Sequence, residues 1–377
     1  MMRHKFRRFG WKLAMLCTLG LPLTGCWDNR PVDYRALVFT LGLSASSKPH
    51  ELSMLFQFPT PPAMASYAKG SASNTSQSPV ADIKGHGKSV AQCFDVAQAQ
   101  VSRDLYLGQI QLIAVSTHLS SSLLFRALDS LERTGTFDKT PFMFATPQSV
   151  QSVVSVKTNQ DAFPSLYYVN LFSCGHCQTE SLGIRFWQFA ADALTPGVDP
   201  YLPEVLVNKK SQKMMVSQEA LYRHFTYVGS LNPQETMAFS LLKGVAHKVN
   251  IYLPHLQATL RAIHGSTHLS VRERRGQVYA TFHLNLMTTL EGIGTQTETA
   301  AQLAHLSKLS STVLAHWCLG VLEKTQKLDV DPFGIGRKLD WRYPQEFKRF
   351  KHWHNEYPKV HMTVSVKTRI NKMGDIK

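Results

Sequence analysis

Beyond residue 25 the chain has no uninterrupted apolar run of the roughly 18–20 residues that would span a bilayer, so it does not read as a polytopic membrane protein. Acids are scarce: 26 Asp and Glu face 41 Lys and Arg, a formal charge of +15 over 377 residues. Such an excess would suit nucleic acid, but no nucleic-acid-binding motif is present and the export leader described below argues against that partner. Enzymatic signatures are missing too. There is no Gly-x-Ser-x-Gly elbow, no His-Glu-x-x-His pair and no nucleotide-binding loop, so the chain is expected to be non-catalytic, with no cofactor and no metal. No internal repeat is visible. What is abundant is apolar surface. Hydrophobic residues make up 44% and charged residues 18%, which excludes global disorder and allows two or three domains.

The first residues are a leader. Arg3, Lys5, Arg7, Arg8 and Lys12 form a positive stretch, followed by an apolar segment from Leu13 to Leu23 that Gly20 and Pro22 interrupt. That segment is too short to span a bilayer and has the form of a secretory signal peptide. Leu23-Thr24-Gly25-Cys26 resembles the lipobox of bacterial lipoproteins. The resemblance implies diacylglyceryl transfer to the Cys26 sulfur and removal of residues 1–25. Two acyl chains give stable anchoring where one is marginal. The basic excess of the chain held there then reads either as attraction to anionic headgroups or as a solvated surface with no particular partner.

Four cysteines follow Cys26: Cys93, Cys174, Cys177 and Cys318. Cys174-Gly175-His176-Cys177 looks like the dithiol of thiol–disulfide oxidoreductases, but no strand–helix pattern leads into it and no second C-x-x-C completes a zinc site. A loop with a local disulfide or free thiols is the expected state. His264 and His268 would share a face of a strand, yet no third ligand is evident. They are read as surface histidines, as are His352 and His354 on either side of Trp353.

Periodicity outlines the elements. Ala36 to Leu43 and Glu51 to Phe58 read as adjacent strands, and Pro59 to Gly87 as a long surface loop. Helices are expected from Ser89, with that serine as N-cap, over Leu119 to Arg133, and over Glu180 to Ala193. Strands are expected over Gln109 to Val115 and Phe142 to Ala145. Thr195-Pro196-Gly197 and Asp199-Pro200 punctuate the chain, which places the domain boundary there: 26–198 an N-terminal α/β layer domain, 199–377 a C-terminal α+β domain. In the second half, strands are expected within Met214 to Val228, over Gln257 to Val271 and over Gln277 to Leu290. Asn232-Pro233-Gln234-Glu235 opens a helix that Gly244 stops. A long helix from about Thr297 to Lys327 should turn Leu303, Leu306, Val313, Leu314, Trp317 and Val321 inward. A final strand alternates Val360, Met362, Val364, Val366 and Ile370 with polar residues. The class is α+β, a mixed multi-domain chain whose second half is strand-rich with one long helix.

Cys26-Trp27-Asp28-Asn29-Arg30 resembles the opening of mature Ger(x)C-type spore germination lipoproteins, with Pro31 where that family usually has Glu. Further matches follow in order: Gly87-Lys88-Ser89-Val90, Arg103-Asp104-Leu105-Tyr106, Leu131-Glu132-Arg133, the Asn232 to Gly244 helix, Asp331-Pro332-Phe333-Gly334-Ile335-Gly336 and Trp353. The resemblance implies the C subunit of a nutrient germinant receptor, beside an A-type subunit and a polytopic B-type subunit. It also implies anchoring on the outer face of the spore inner membrane. Trp27, Trp353, Gly334 and Gly336 are read as packing and turn residues. The alternative is a solute-binding lipoprotein of a transporter, which should have two similar lobes about a cleft.

Overall fold

The computed structural model describes residues 31, 34–69, 78–156, 161, 163–174, 181–208, 210–211, 213–244, 250–253, 258–291, 299–350 and 352–371. The leader and Cys26 lie outside them. The chain divides into a short unit, Met1–Ala36, and a large one, Leu37–Lys377. In the short unit the described part is Pro31 and Tyr34–Ala36, where the Tyr34 amide donates to the Pro31 carbonyl at 3.2 Å. The large unit holds the nine-stranded and the four-stranded sheets.

Its first sheet has nine strands among the described residues. From one edge the order is Thr226–Leu231, Met214–Arg223, Tyr201–Val207, Phe142–Thr146, Leu112–Ser116, Thr40–Ala45, Leu52–Pro59 and Val80–Gly87, with the short strand Ile184–Arg185 beside Phe142–Thr146. The centre is parallel: Leu112–Ser116 lies parallel to both Thr40–Ala45 and Phe142–Thr146. The flanks are antiparallel, including the expected neighbours Thr40–Ala45 and Leu52–Pro59. Every residue of Leu112–Ser116 and Phe142–Thr146 is buried, as their apolar runs Leu112–Val115 and Phe142–Ala145 require of strands covered on both faces. On one face Leu112, Ala114, Phe142 and Phe144 pack with Val150, Val153, Val154 and Tyr168. The expected helices are present at Val90–Gln98 and Ser121–Glu132, and Ser89 Oγ caps the first by accepting from the Gln92 amide at 3.1 Å.

The sheet runs past residue 198 without interruption, because Tyr201–Leu231 supplies three of its strands. A second departure concerns Pro59 to Gly87. Helix Pro61–Ala68 and edge strand Val80–Gly87 occupy most of that expected loop. The strand escapes notice because it is polar and carries two glycines. Both glycines are there to admit the following helix: a Cβ on Gly85 would lie 1.7 Å from the Cys93 carbonyl oxygen. The helix expected over Glu180 to Ala193 is shorter, Phe186–Leu194. Helices Val150–Val154 and Pro164–Ser173 had no sequence expectation.

The second sheet has four strands in the order Asn250–Leu253, Ala258–Arg274, Gln277–Glu291 and His361–Asn371. The first three are antiparallel, and the last lies parallel to Gln277–Glu291, with helix Ala300–Lys327 in the connection. That helix also covers the sheet edge. Ser311 Oγ and Ser307 Oγ accept the Thr368 and Ile370 amides at 2.9 and 3.3 Å, which removes exposed strand donors. Its buried stripe is Ser310, Leu314, Cys318, Val321, Leu322 and Thr325. Leu314 and Val321 were expected there; Leu303, Leu306, Val313 and Trp317 are only half-buried flanks. Helix Pro233–Lys243 packs against strands of both sheets and against the long helix, so Thr236 to Leu242 are all buried. Its capping box forms as its sequence dictates, with Glu235 N donating to Asn232 Oδ1 at 2.9 Å and Asn232 N to Glu235 Oε2 at 2.8 Å. Gly244 ends it at φ 73°, in the left-handed region where glycine is unstrained. Two sheets so different in strand number and pairing are not the similar lobes of a solute-binding protein.

Candidate functional site at the junction of the two halves

Three punctuated stretches converge where the halves meet: Thr195 to Pro200, Arg223 to Phe225, and Asp331 to Gly336 with Trp353 and His354. Asp331 is the organising group. It is fully buried, and its Oδ1 accepts the Ile335 amide at 3.1 Å while Oδ2 accepts the Gly336 amide at 2.8 Å and Trp353 Nε1 at 2.9 Å. Burial pushes its carboxyl up to about 6, with the charge of Asp199 adding to the rise and the donated hydrogen bonds opposing it.

Asp199 is tied to Asp331 through the backbone. The Asp199 amide donates to the Asp331 carbonyl at 2.9 Å, and the Asp331 amide donates to Asp199 Oδ2 at 2.8 Å. His354 Nε2 lies 3.1 and 2.9 Å from the two Asp199 oxygens, and the His224 amide donates to Oδ1 at 3.2 Å. His354 is therefore not the surface residue expected from the sequence, whereas His352 is exposed. His224 sits at φ 52°, a left-handed conformation uncommon outside glycine, and its Nδ1 lies 2.9 Å from the Ala193 carbonyl oxygen.

Glycine permits the closest backbone approach. Arg337 N donates to the Gly197 carbonyl at 2.7 Å, and Gly197 has φ 78°. A Cβ on Gly336 would meet Trp353 at 2.6 Å and the Gly197 Cα at 2.7 Å. The Asp331–Gly336 tract is thus the turn expected of it, and its glycines serve packing. Arg337 also pairs with Asp192 at 3.0 Å, and Lys243 Nζ donates to the Pro332 carbonyl at 2.9 Å.

Beside this junction lie buried charges that sequence reasoning missed. Glu219 is wholly buried in strand Met214–Arg223; its Oε1 accepts Ser181 Oγ at 2.9 Å and the Leu182 amide at 2.7 Å. Burial pushes its carboxyl up to about 8 and pushes the Lys243 amine down. Glu204, raised by burial, accepts a hydrogen bond from Ser230 Oγ. The available signal was an acid inside a strand, which marks either a solvated face or a buried partner without saying which.

Among the described residues the cysteines lack the surroundings of a reactive thiolate. Cys93 and Cys318 are buried and free, and burial pushes them up to about 11 and about 12, away from the reactive thiolate. Cys174 is disulfide-bonded and follows the C-terminus of helix Pro164–Ser173, the end whose dipole disfavours a thiolate. His176 and Cys177 lie outside the described residues. His264 and His268 are on the exposed face of the second sheet, where His268 pairs across strands with His283.

That face is the other distinctive surface. Ser266, His268, Ser270, Arg272 and Arg274 alternate outward with Tyr279, Thr281, His283, Asn285 and Met287, and with Thr363, Ser365, Lys367 and Arg369. No acid stands among these positions; Glu291, at the far end of its strand, is paired with Arg261 at 3.1 Å. Among the described residues no helix is long and apolar enough to cross a membrane.

Residues 28–207 match the spore germination protein N-terminal domain, and residues 218–374 match the C-terminal domain described as spore germination B3/GerAC-like. The chain belongs to the GerAC-like spore germination family. Spore germination protein KC of Bacillus subtilis (strain 168) is 23% identical, the match covering 96% of this chain and 95% of that protein. Spore germination protein GerQC of Bacillus cereus is 19% identical over 74% of this chain and 78% of its own length. The crystal structure of the GerBC protein has the same fold, with a TM-score of 0.57 at 13% identity, covering 88% of this chain and 98% of that one. The two family domains meet between residues 207 and 218, inside the first sheet, so strands Met214–Arg223 and Thr226–Leu231 of the C-terminal domain complete a sheet begun by the N-terminal one.

Proposed function

We propose that this chain is the C subunit of a spore nutrient germinant receptor, needed for germination and without catalytic activity of its own. It works beside an A-type and a polytopic B-type subunit, held on the outer face of the spore inner membrane by lipid on Cys26. The reading rests on one observation: the two family domains run consecutively through the chain from residue 28, directly behind a lipobox cysteine. A lipid anchor confines the chain to the membrane where its partners lie. Contact then becomes effectively intramolecular, and even weak surfaces are occupied.

Cys26→Ala tests the anchor and the role together. Wild-type protein should take up a fatty-acid analogue, and the variant should not. Spores carrying the variant should lose optical density slowly after nutrient addition, with partial recovery on overexpression. Wild-type protein without label, or full germination from unlabelled variant at native expression, overturns the proposal.

A further inference from the structure

We propose that Asp199, His224 and His354 form a divalent-cation site for a borderline first-row metal such as Zn²⁺ that ties the two halves of the molecule together.

These three residues come from separate stretches of the chain, and one ligand atom from each lies within 4.8 Å of the others. The set is two imidazoles and one carboxylate, which suits zinc and its neighbours in the first transition row and disfavours Ca²⁺ and Mg²⁺, whose shells are oxygen. Bonds of about 2.0–2.2 Å in a tetrahedral shell place neighbouring ligand atoms about 3.3–3.6 Å apart. His354 Nε2 lies 3.1 and 2.9 Å from the two Asp199 oxygens, hydrogen-bonding distances, so an ion would take the place of the Nε2 proton and open that edge by a few tenths of an ångström.

The surroundings are those of a metal ligand set. His224 Nδ1 is 2.9 Å from the Ala193 carbonyl oxygen, an acceptor only. The proton must then reside on Nδ1, which leaves the Nε2 lone pair available, the usual outer-shell arrangement for a ligating histidine. Asp199 is fully buried, its amide donates to the Asp331 carbonyl and its Oδ2 accepts the Asp331 amide, so its carboxylate is oriented before any ion arrives. His224 is exposed while Asp199 is buried, which gives an ion a path in and leaves room for water as the remaining ligand. The left-handed backbone of His224 is a local cost that ligation would offset.

The test is a Co²⁺ titration of tag-free, detergent-purified full-length chain, following the visible ligand-field absorption and then its displacement by Zn²⁺. One ion per chain is expected, with spectra of nitrogen and oxygen ligation. His354→Gln removes one ligand at nearly constant volume, and His224→Gly removes another while suiting the positive φ. Each should weaken binding at least tenfold while circular dichroism stays unchanged. His268→Ala with His283→Ala removes the exposed cross-strand pair and should leave the titration as it was. Absence of a stoichiometric Co²⁺ spectrum in wild-type chain overturns the proposal. So does a titration that survives both junction variants but disappears with the exposed pair. Germination enters none of these readouts, so the site and the receptor role stand or fall separately.

Discussion

The two sheets solve the burial problem in opposite ways. The first is parallel at its centre and covered on both faces, and its middle strands are buried at every position and apolar up to their last residues, Ser116 and Thr146. The second keeps one face bare, so Gln277–Glu291 alternates Val278, Ala280, Phe282, Leu284 and Leu286 inside with Tyr279, Thr281, His283, Asn285 and Met287 outside. A sheet closed on both faces can only scaffold. A sheet with a bare, basic, acid-poor face still has a surface to offer a partner. Between them lies a junction neither uses for apolar packing alone, built instead from buried carboxylates that are engaged by amides, an indole and the His354 imidazole.

The largest effect should come from that junction. Asp331→Ala leaves the Ile335 and Gly336 amides and the Trp353 indole without their acceptor, all of them buried. Each orphaned donor costs about 1–3 kcal/mol, so the loss should be on the order of 3–5 kcal/mol. Urea unfolding of the full chain measures it. If Asp331→Ala lost less than about 1 kcal/mol, the two halves would be held together by apolar contact and the contrast drawn above would fail.

Much of this architecture is legible from periodicity, but unevenly. The Asn232 capping box and the Gly244 stop are local devices whose chemistry is complete within a few residues, and each is where its sequence says. The final strand likewise alternates as written. What is not legible depends on distant partners. Val80–Gly87 is a strand because its glycines let a helix approach, not because its side chains favour one. His354 differs from His352 only in facing Asp199, 155 residues away in sequence. The Asp331 tract was visible as a turn, yet the carboxylate's three donors were not, because Trp353 reaches it from 22 residues downstream. Sequence also suggested a break at residue 198. Proline and glycine do punctuate the chain there, but the punctuation serves the junction turn rather than an end to the sheet.

A middle-sized effect separates the sheets by pH. Glu219 lies within the first sheet and is raised to about 8 by burial, well above an exposed glutamate. Between pH about 4.5 and 8 the folded chain therefore keeps a proton that the unfolded chain releases. Its contribution is complete below that window and is lost as pH rises through it, so stability should fall toward pH 8. Glu219→Gln keeps an acceptor for Ser181 and Leu182 and has no proton to lose. The variant should match wild type near pH 5 and become relatively more stable by on the order of 1–2 kcal/mol at pH 8. Denaturant midpoints across that range check it, and parallel curves for the two proteins would show Glu219 ionising without penalty.

The smallest effect belongs to the open face. Arg272 lies across from Tyr279, and His283 across from His268 and Ser365, all of them outward. Arg272→Ser together with His283→Ala removes one cation and one imidazole from solvent and unmakes no buried contact. Surface changes of this kind stay within about 0.5 kcal/mol, and the cross-strand pairs lost are worth only a few tenths each. Thermal unfolding of the isolated chain should therefore be nearly unchanged. A loss of several kcal/mol that also made the melting temperature depend on protein concentration would mean that a second copy covers the face. The bare sheet would then be a closed one completed between chains, and the difference between the two sheets would be one of partner rather than of kind.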